Sequence, residues 1–279
     1  MNIAVIPNIS KDVGLVTTKR FINSVGKRAA IVMDKMYNTG QFDAQFRSGD
    51  ILSGCDIAVV LGGDGTILSV AAECAKKSIP ILGINLGRIG FMSEIEKDDI
   101  EEAAARLLSG DYKTDSRMML KTDIVRDGEL QGTFHALNDV VISKANDVKL
   151  ISTAVYCEDE KINEYVCDGL IISTPTGSTG YNLSAGGPVI NPNMRLLAAT
   201  PICAHMLTAK PMIIPSEPPI KIRLSGRTLG NSAEVVSDGD VVGHIKDGDE
   251  IIVSRSEYET KLIRMGSCSF YDVLINKLT

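Results

Sequence analysis

Several broad classes of protein need features that this chain lacks. Its longest apolar runs, such as IAVVL at 57–61, fall far short of the roughly 18 residues needed to cross a bilayer. The N-terminus, MNIAVIPNIS, has no basic region followed by a long apolar stretch, so it predicts a first β-strand and no signal peptide. There are only three histidines, and no HxxH or HExxH pair. The six cysteines (Cys55, Cys74, Cys157, Cys167, Cys203 and Cys268) include no CxxC spacing. A metal cluster or disulfide framework is therefore not expected, and they read as free, mostly buried thiols of a cytosolic protein. No GxxxxGK[ST] occurs, and no GxGxxG follows a strand, so the chain is neither an ordinary P-loop protein nor an ordinary Rossmann dehydrogenase. A positive excess is also missing. Lys plus Arg is 29 and Asp plus Glu is 35, a net charge of −6, which argues against a general nucleic-acid binder. An anion can still be held locally by backbone N–H groups.

What is present is an ordinary globular composition. With 279 residues, 44% hydrophobic and 23% charged, the chain can bury a real core in one large or two modest domains. Strand-like and helix-like segments alternate over the first hundred residues: strands at 2–7, 29–33, 56–61 and 79–84, and helices over 11–26, from about 67 onward, and over 98–110. Asp98 or Asp99 can cap the last of these helices, and Gly110 closes it. The run at 56–61 is apolar on both faces, as a buried parallel strand is. This alternation predicts a doubly wound parallel sheet. Near residue 115 the pattern changes, and strands follow strands. Asp127-Gly128 and Asp159-Glu160 mark hairpins. Short strands are expected at 220–226, 233–238, 249–255 and 260–266, with turns at Gly226, Asp238-Gly239 and Asp247-Gly248. The expectation is an α/β domain over 1–115 and a β-rich, sandwich-like domain over 116–279. An amphipathic helix at 269–278 should pack back on the first domain.

Four segments carry chemistry. LGGDGTIL at 61–68 lies where a buried strand gives way to a helix, so turn and helix N–H groups can hold phosphate oxygens there. Gly62, Gly63 and Thr66 are phosphate-binding candidates. Asp64 is odd in such a turn, because phosphate repels it; coordinating Mg²⁺ or taking a proton from an attacking hydroxyl would justify it. The competing reading is a plain glycine turn with Asp64 as helix cap. DGLIISTPTGSTGYNLSAGGPVINP at 168–192 is too long and too rich in small residues for one turn, and reads as a ligand loop in which Tyr181 can stack on a base; the alternative is a glycine-rich connection between two β layers. In FHALNDVVI at 134–142, Asn138 and Asp139 interrupt an apolar run and need partners or a ligand, unless they mark a bulge or strand end. In GINLGRIGF at 83–91, Arg88 can meet a phosphate or form a surface salt bridge.

Together and in this order, GGDGT, NLGRIGF, Asn138-Asp139, DGLIISTPTGSTGYNLSAGGP and PICAHML at 201–207 resemble the NAD kinase family, over roughly residues 1–275. The long glycine–threonine segment is the most specific match, since GGDGT alone also resembles a loop of diacylglycerol and sphingosine kinases. The resemblance implies phosphorylation of NAD on the 2′-hydroxyl of its adenosine ribose, with ATP or polyphosphate as donor and Mg²⁺ or another divalent metal. It makes Asp64 the proton acceptor and places Gly65 against the ligand. Asn138 and Asp139 would hold the adenosine, Asp168 would face the nicotinamide, and Thr179, Gly180, Tyr181, Asn182, Leu183 and Ser184 would line the dinucleotide site. Lys149 and Asp240 are looser carry-overs. A cytoplasmic homodimer or homotetramer is also implied. Three positions depart from the family pattern: Asp139 where Glu is more frequent, Gly180 where Ala is, and Ala204 where Pro is. The alternatives are a lipid or sugar kinase built around GGDGT and a non-catalytic dinucleotide sensor. The −6 charge and the polar 173–184 segment disfavour the first, and Asp64 disfavours the second.

Overall fold

The computed structural model describes residues 1–87, 90–145, 150–206, 209–225, 232–266 and 269–278. Arg88, Lys149, Gly226 and Cys268 lie outside these residues. The chain forms two compact units, residues 1–116 with 259–279, and residues 117–258.

The first unit is built as its alternating pattern predicts. Its elements are β1 (Asn2–Pro7), α1 (Val16–Val25), β2 (Ala30–Asp34), β3 (Gln45–Arg47), β4 (Ile57–Gly62), α2 (Asp64–Lys76), β5 (Ile81–Asn85), β6 (Ile95–Glu96) and α3 (Ile100–Ser109). The strands pair in parallel in the order β5-β4-β1-β2-β3. All six residues of β4 are buried, as expected of a strand covered on both faces. Two element boundaries differ from the sequence reading. The first helix starts at Val16, not near 11, because Gly14 (φ 71°) and Leu15 (φ 55°) are left-handed. Asp12, upstream of that kink, accepts the N–H groups of Thr17 and Thr18 and so serves the open helix end. Asp99 precedes α3 but makes no side-chain cap bond; a short 3₁₀ turn over Lys97–Asp99 leads into the helix instead. Gly110 (φ 75°) closes α3 as predicted.

The second unit is all β apart from short helical turns. β7 (Lys113–Arg126) enters it and pairs with β8 (Glu129–Ala136) across the Asp127-Gly128 hairpin. There follow β9 (Asp139–Lys144), β10 (Ile151–Cys157), β11 (Glu160–Cys167), β12 (Gly169–Ser173), the single turn α4 (Tyr181–Ser184), β13 (Leu196–Ile202), β14 (Met212–Pro215), β15 (Ile220–Leu224), β16 (Ala233–Ser237), β17 (Asp240–Ile245) and β18 (Glu250–Arg264). One sheet runs β14-β13-β12-β9-β16-β17 and is antiparallel throughout. Antiparallel pairing also links β11, β10, β15 and the start of β18. Alternate residues of the two sets, such as Val140, Ile142, Leu170 and Ile172 on one and Val155, Ile220, Ile222 and Ile251 on the other, form one buried cluster, the period-two logic of a sandwich.

β18 corrects the expectation of two short strands at 249–255 and 260–266. Its polar middle is satisfied within the strand and by a neighbour: Ser256 Oγ accepts Tyr258 N–H at 3.0 Å and meets His135 Nδ1 at 2.9 Å. The end of β18 returns to the first unit, where Leu262 pairs in parallel with Ile81 of β5, and α5 (Phe270–Leu278) follows. Of the thiols, Cys55, Cys74 and Cys167 are buried, Cys157 is half-buried and Cys203 is exposed. Burial pushes the Cys74 thiol up to about 12, so it is inert as a nucleophile. No helix among the described residues is long and apolar enough to cross a membrane.

Candidate active site

The strand order of the first unit offers a candidate ligand position before any motif is considered. β1 and β4 lie side by side, with β2 and β3 continuing beyond one and β5 beyond the other. In an open sheet of this kind, ligands bind outside the carboxyl ends of the strands where the order reverses. The segments leaving those two ends are residues 8–12 and the GGDGT turn at 62–66. They are tied together. Asn8 N–H donates to Leu61 O at 2.8 Å, and Asn8 Nδ2 donates to Thr66 Oγ1 at 3.0 Å. The ammonium of Lys11 lies 2.7 Å from where a Cβ on Gly63 would sit, and no carboxylate among the described residues pairs with it. The sequence reading does not include Lys11. Its signal, a lysine four residues past the end of β1, has meaning only once β1 is known to neighbour β4.

Asp64 is the first residue of α2, and Gly63 occupies the cap position with no side-chain cap bond. The Asp64 carboxylate does not cap its own helix. It reaches to the second glycine segment, where Oδ2 accepts Phe91 N–H at 2.8 Å and Oδ1 accepts Met92 and Ser93 N–H at 3.2 and 3.3 Å. A carboxylate offers about four acceptor positions, so three bonds leave one for a ligand hydroxyl. Gly90 is required by this approach: a Cβ there would lie 1.9 Å from Asp64 Oδ1. Ser93 Oγ, close to the same point, is buried with no hydrogen-bond partner among the described residues. The loop is held from behind by Arg264, which donates to the carbonyls of Phe91 and Met92 at 3.3 Å and pairs with Glu94 at 3.0 Å. Arg264 and Ser93 are also absent from the sequence reading, because neither lies in a recognisable motif. Leu86 N–H donates to Gly62 O at 2.8 Å, so the GGDGT and NLG segments meet twice. Arg88, the cation expected there, lies outside the described residues.

In the second unit, β9 and β12 bring Asn138-Asp139 and the glycine–threonine segment together. That segment is not one long loop: it opens with β12 and contains a 3₁₀ turn at Gly177–Thr179 and α4. Asn138 O accepts Thr174 N–H at 2.8 Å, and a Cβ on Gly177 would lie 2.2 Å from that oxygen. Thr174 Oγ1 donates to Leu137 O and accepts Gly177 N–H. Asn138 Oδ1 is buried with no partner among the described residues. Gly180 lies beside it, where a Cβ would stand 3.5 Å from Asn138 Nδ2; the missing methyl widens this corner. Asp139 is buried, and burial, with the Asp238 charge beside it, pushes its carboxyl up to about 7. Tyr181, Ser184 and Gly65 are exposed, and Thr179 and Leu183 are half-buried. Asn182 is fully buried. Its amide donates to Ser178 O and Pro188 O and accepts from Thr200 Oγ1, so it acts on the segment's shape and offers no free polar atom.

Asp168 is placed differently. Ser173 pairs with Asp139, whereas Gly169 pairs with Ser143, so Asp168 lies about five residues, roughly 17 Å, along the strand from Asp139. Its carboxylate accepts Lys144 Nζ at 2.6 Å. Asp240 opens β17 in an exposed position, and Lys149 is outside the described residues. No group of three or more His, Cys, Asp or Glu side chains among the described residues is arranged to hold a metal ion.

Residues 24–112 match the ATP-NAD kinase N-terminal domain and residues 137–265 match the ATP-NAD kinase C-terminal domain. An NAD kinase of Acetivibrio thermocellus is 38% identical over 281 residues, covering 100% of this chain and 97% of that protein. One of Heliobacterium modesticaldum is 41% identical over 229 residues, covering 82% and 80%. Among solved structures, yeast NADH kinase complexed with NADH shares the fold, with a TM-score of 0.87 at 24% identity, covering 100% of this chain and 87% of that one. An NAD kinase from Archaeoglobus fulgidus in complex with ATP gives 0.76 at 24% identity, covering 100% and 98%. Domain matches across both halves and full-length relatives above 30% identity lead to one conclusion: this chain belongs to the NAD kinase family of phosphotransferases.

Proposed function

We propose that the chain transfers the terminal phosphoryl group of ATP to the 2′-hydroxyl of the adenosine ribose of NAD, with Asp64 as the base. The observation that carries this is the Asp64 carboxylate, which stands at the strand-order reversal with one acceptor position left. It takes the hydroxyl proton, the ribose oxygen bonds to the terminal phosphorus, and the bridging P–O bond breaks to release ADP. Phosphoryl transfer depends mainly on positioning and charge neutralisation. The N–H groups at the start of α2, the Gly62-Gly63 turn and Lys11 would hold the donor phosphates, while Asn138, Asp139 and Tyr181 would receive the adenosine. The described residues form no metal site of their own. Mg²⁺ held chiefly by phosphate oxygens needs few protein ligands, and when bound it would offset charge between the triphosphate and Asp64. A non-catalytic sensor would have no need of a carboxylate at this turn.

The family resemblance supports a homodimer or homotetramer, and the free cysteines support a cytoplasmic setting. The test is to incubate the purified protein with NAD, ATP and Mg²⁺ and assay NADP. Robust NADP formation is expected, and its absence under all metal and donor conditions would refute the proposal. Repeating the assay with polyphosphate and with NADH assigns donor and acceptor.

A further inference from the structure

We propose that Asp238 is a positioning residue for NAD: a ring of hydrogen bonds between it and residues 137–139 holds Asn138 and Asp139 in the conformation that receives the adenosine. This rests on the assignment of Asn138 and Asp139 to the dinucleotide site. Asp238 (φ 48°) and Gly239 (φ 98°) make the two-residue turn between β16 and β17. An Asp-Gly turn needs only its backbone conformation, and its carboxylate is free to face water. Here it turns back across the sheet. Oδ2 accepts Leu137 N–H at 2.6 Å, and Oδ1 accepts Asn138 and Asp139 N–H at 2.8 and 3.1 Å. Asp238 N–H in turn donates to Asp139 O at 3.1 Å.

These bonds fall where the chain passes from β8 to β9 and ladder partners for those N–H groups are lost. With Asn138 O already taken by Thr174 N–H, both faces of the Asn138 backbone are fixed. Only its side chain is uncommitted, and Asn138 Oδ1 is buried without a partner among the described residues. A buried acceptor with no donor is costly unless a ligand supplies one, so the ring presents an atom that the protein itself does not satisfy. Burial pushes both carboxyls upward; at Asp238 the three N–H donors pull back against it, whereas at Asp139 the neighbouring Asp238 charge adds to it.

The test uses Asp238→Asn and Asp238→Glu in the full chain. In Asp238→Asn one oxygen becomes an NH₂ facing backbone N–H groups. Each hydrogen bond to a charged group is worth enough to change affinity roughly ten- to hundredfold. The expected result is a rise of that size in KM and in the directly titrated Kd for NAD, with kcat at saturating NAD and KM for ATP held within about threefold. Combined with Asn138→Ala, Asp238→Asn should add little further loss, because the two act as a unit. A purely structural role would lower kcat and raise KM for both substrates together, and would multiply with Asn138→Ala; that pattern overturns the proposal. So does an unchanged Kd for NAD in a folded variant. Should Asp238→Asn not fold, Asp238→Glu keeps the charge but displaces it by one methylene, and the same split in KM is expected. The NAD titration needs no turnover, so failure of the kinase assay in the wild-type protein would count against the proposed reaction and leave the role of Asp238 separately readable.

Discussion

Replacing Asp64 with Asn removes a charge and one acceptor while keeping the shape of the side chain. In the native site one oxygen accepts Phe91 N–H at 2.8 Å and the other accepts Met92 and Ser93 N–H at 3.2 and 3.3 Å. An amide oxygen can keep the second pair, but its NH₂ then faces the N–H of Phe91. One charge-assisted bond is lost and one donor is left without a partner, at a cost of about 3 kcal/mol together. For a protein of this size, that lowers the melting temperature by roughly 6–12 °C. The catalytic loss is separate, and removing a general base costs about 10²- to 10⁴-fold in rate. Both are measured on one preparation: thermal unfolding by circular dichroism, and NADP formation at saturating NAD and ATP well below the new melting temperature. Asp64→Asn should therefore be folded, less stable and nearly inactive. Near-wild-type turnover would refute Asp64 as the base. An unchanged melting temperature would refute the loop contacts.

Three further outcomes follow from the same geometry. Gly90→Ala places a methyl 1.9 Å from Asp64 Oδ1, so kcat should fall at least about tenfold although no functional group is removed; an unaltered kcat would show that the loop gives way freely. Lys11→Ala should raise KM for ATP about tenfold and leave KM for NAD unchanged, with Lys11→Arg recovering most of the loss; equal effects on both substrates would count against a donor-phosphate role. Asp139 is held from its ordinary 3.8 up to about 7 by burial and by the facing charge of Asp238, so between these values the folded protein keeps a proton that the unfolded chain has released. Its contribution to stability therefore falls as pH rises through that window and levels off above about 7. Urea midpoints at pH 5 and 8 should converge in Asp139→Asn relative to wild type; an identical pH dependence would refute the buried protonated state.

The proposed function is compatible with the acidic net charge. In the proposed reaction the groups that would meet phosphate are the Gly62-Gly63 turn, the first N–H groups of α2 and Lys11. A phosphate can be held by such oriented dipoles without a general positive field.

The division of labour between sequence and fold is visible residue by residue. Composition and periodicity sufficed for the parallel sheet, the change to β structure and the turns at Asp127, Gly110 and Asp238, because these depend on local conformational preference and on which faces are apolar. The motifs singled out Asp64 and Asn138-Asp139 as candidates, because a charged or polar residue set among glycines or in an apolar run is legible one residue at a time. Continuity of β18 was not legible, since its polar middle is satisfied in part by His135, more than a hundred residues away. Lys11, Ser93, Arg264 and the carboxylate of Asp238 were invisible for the same reason: each matters through a partner distant in the chain, Gly63, Asp64, the carbonyls of 91 and 92, and the N–H groups of 137–139. Residue type and local context were enough to put forward candidates such as Asp64. The tertiary structure decided which backbone groups hold them in place, because hydrogen bonds act over about 3 Å of space and are indifferent to distance along the chain.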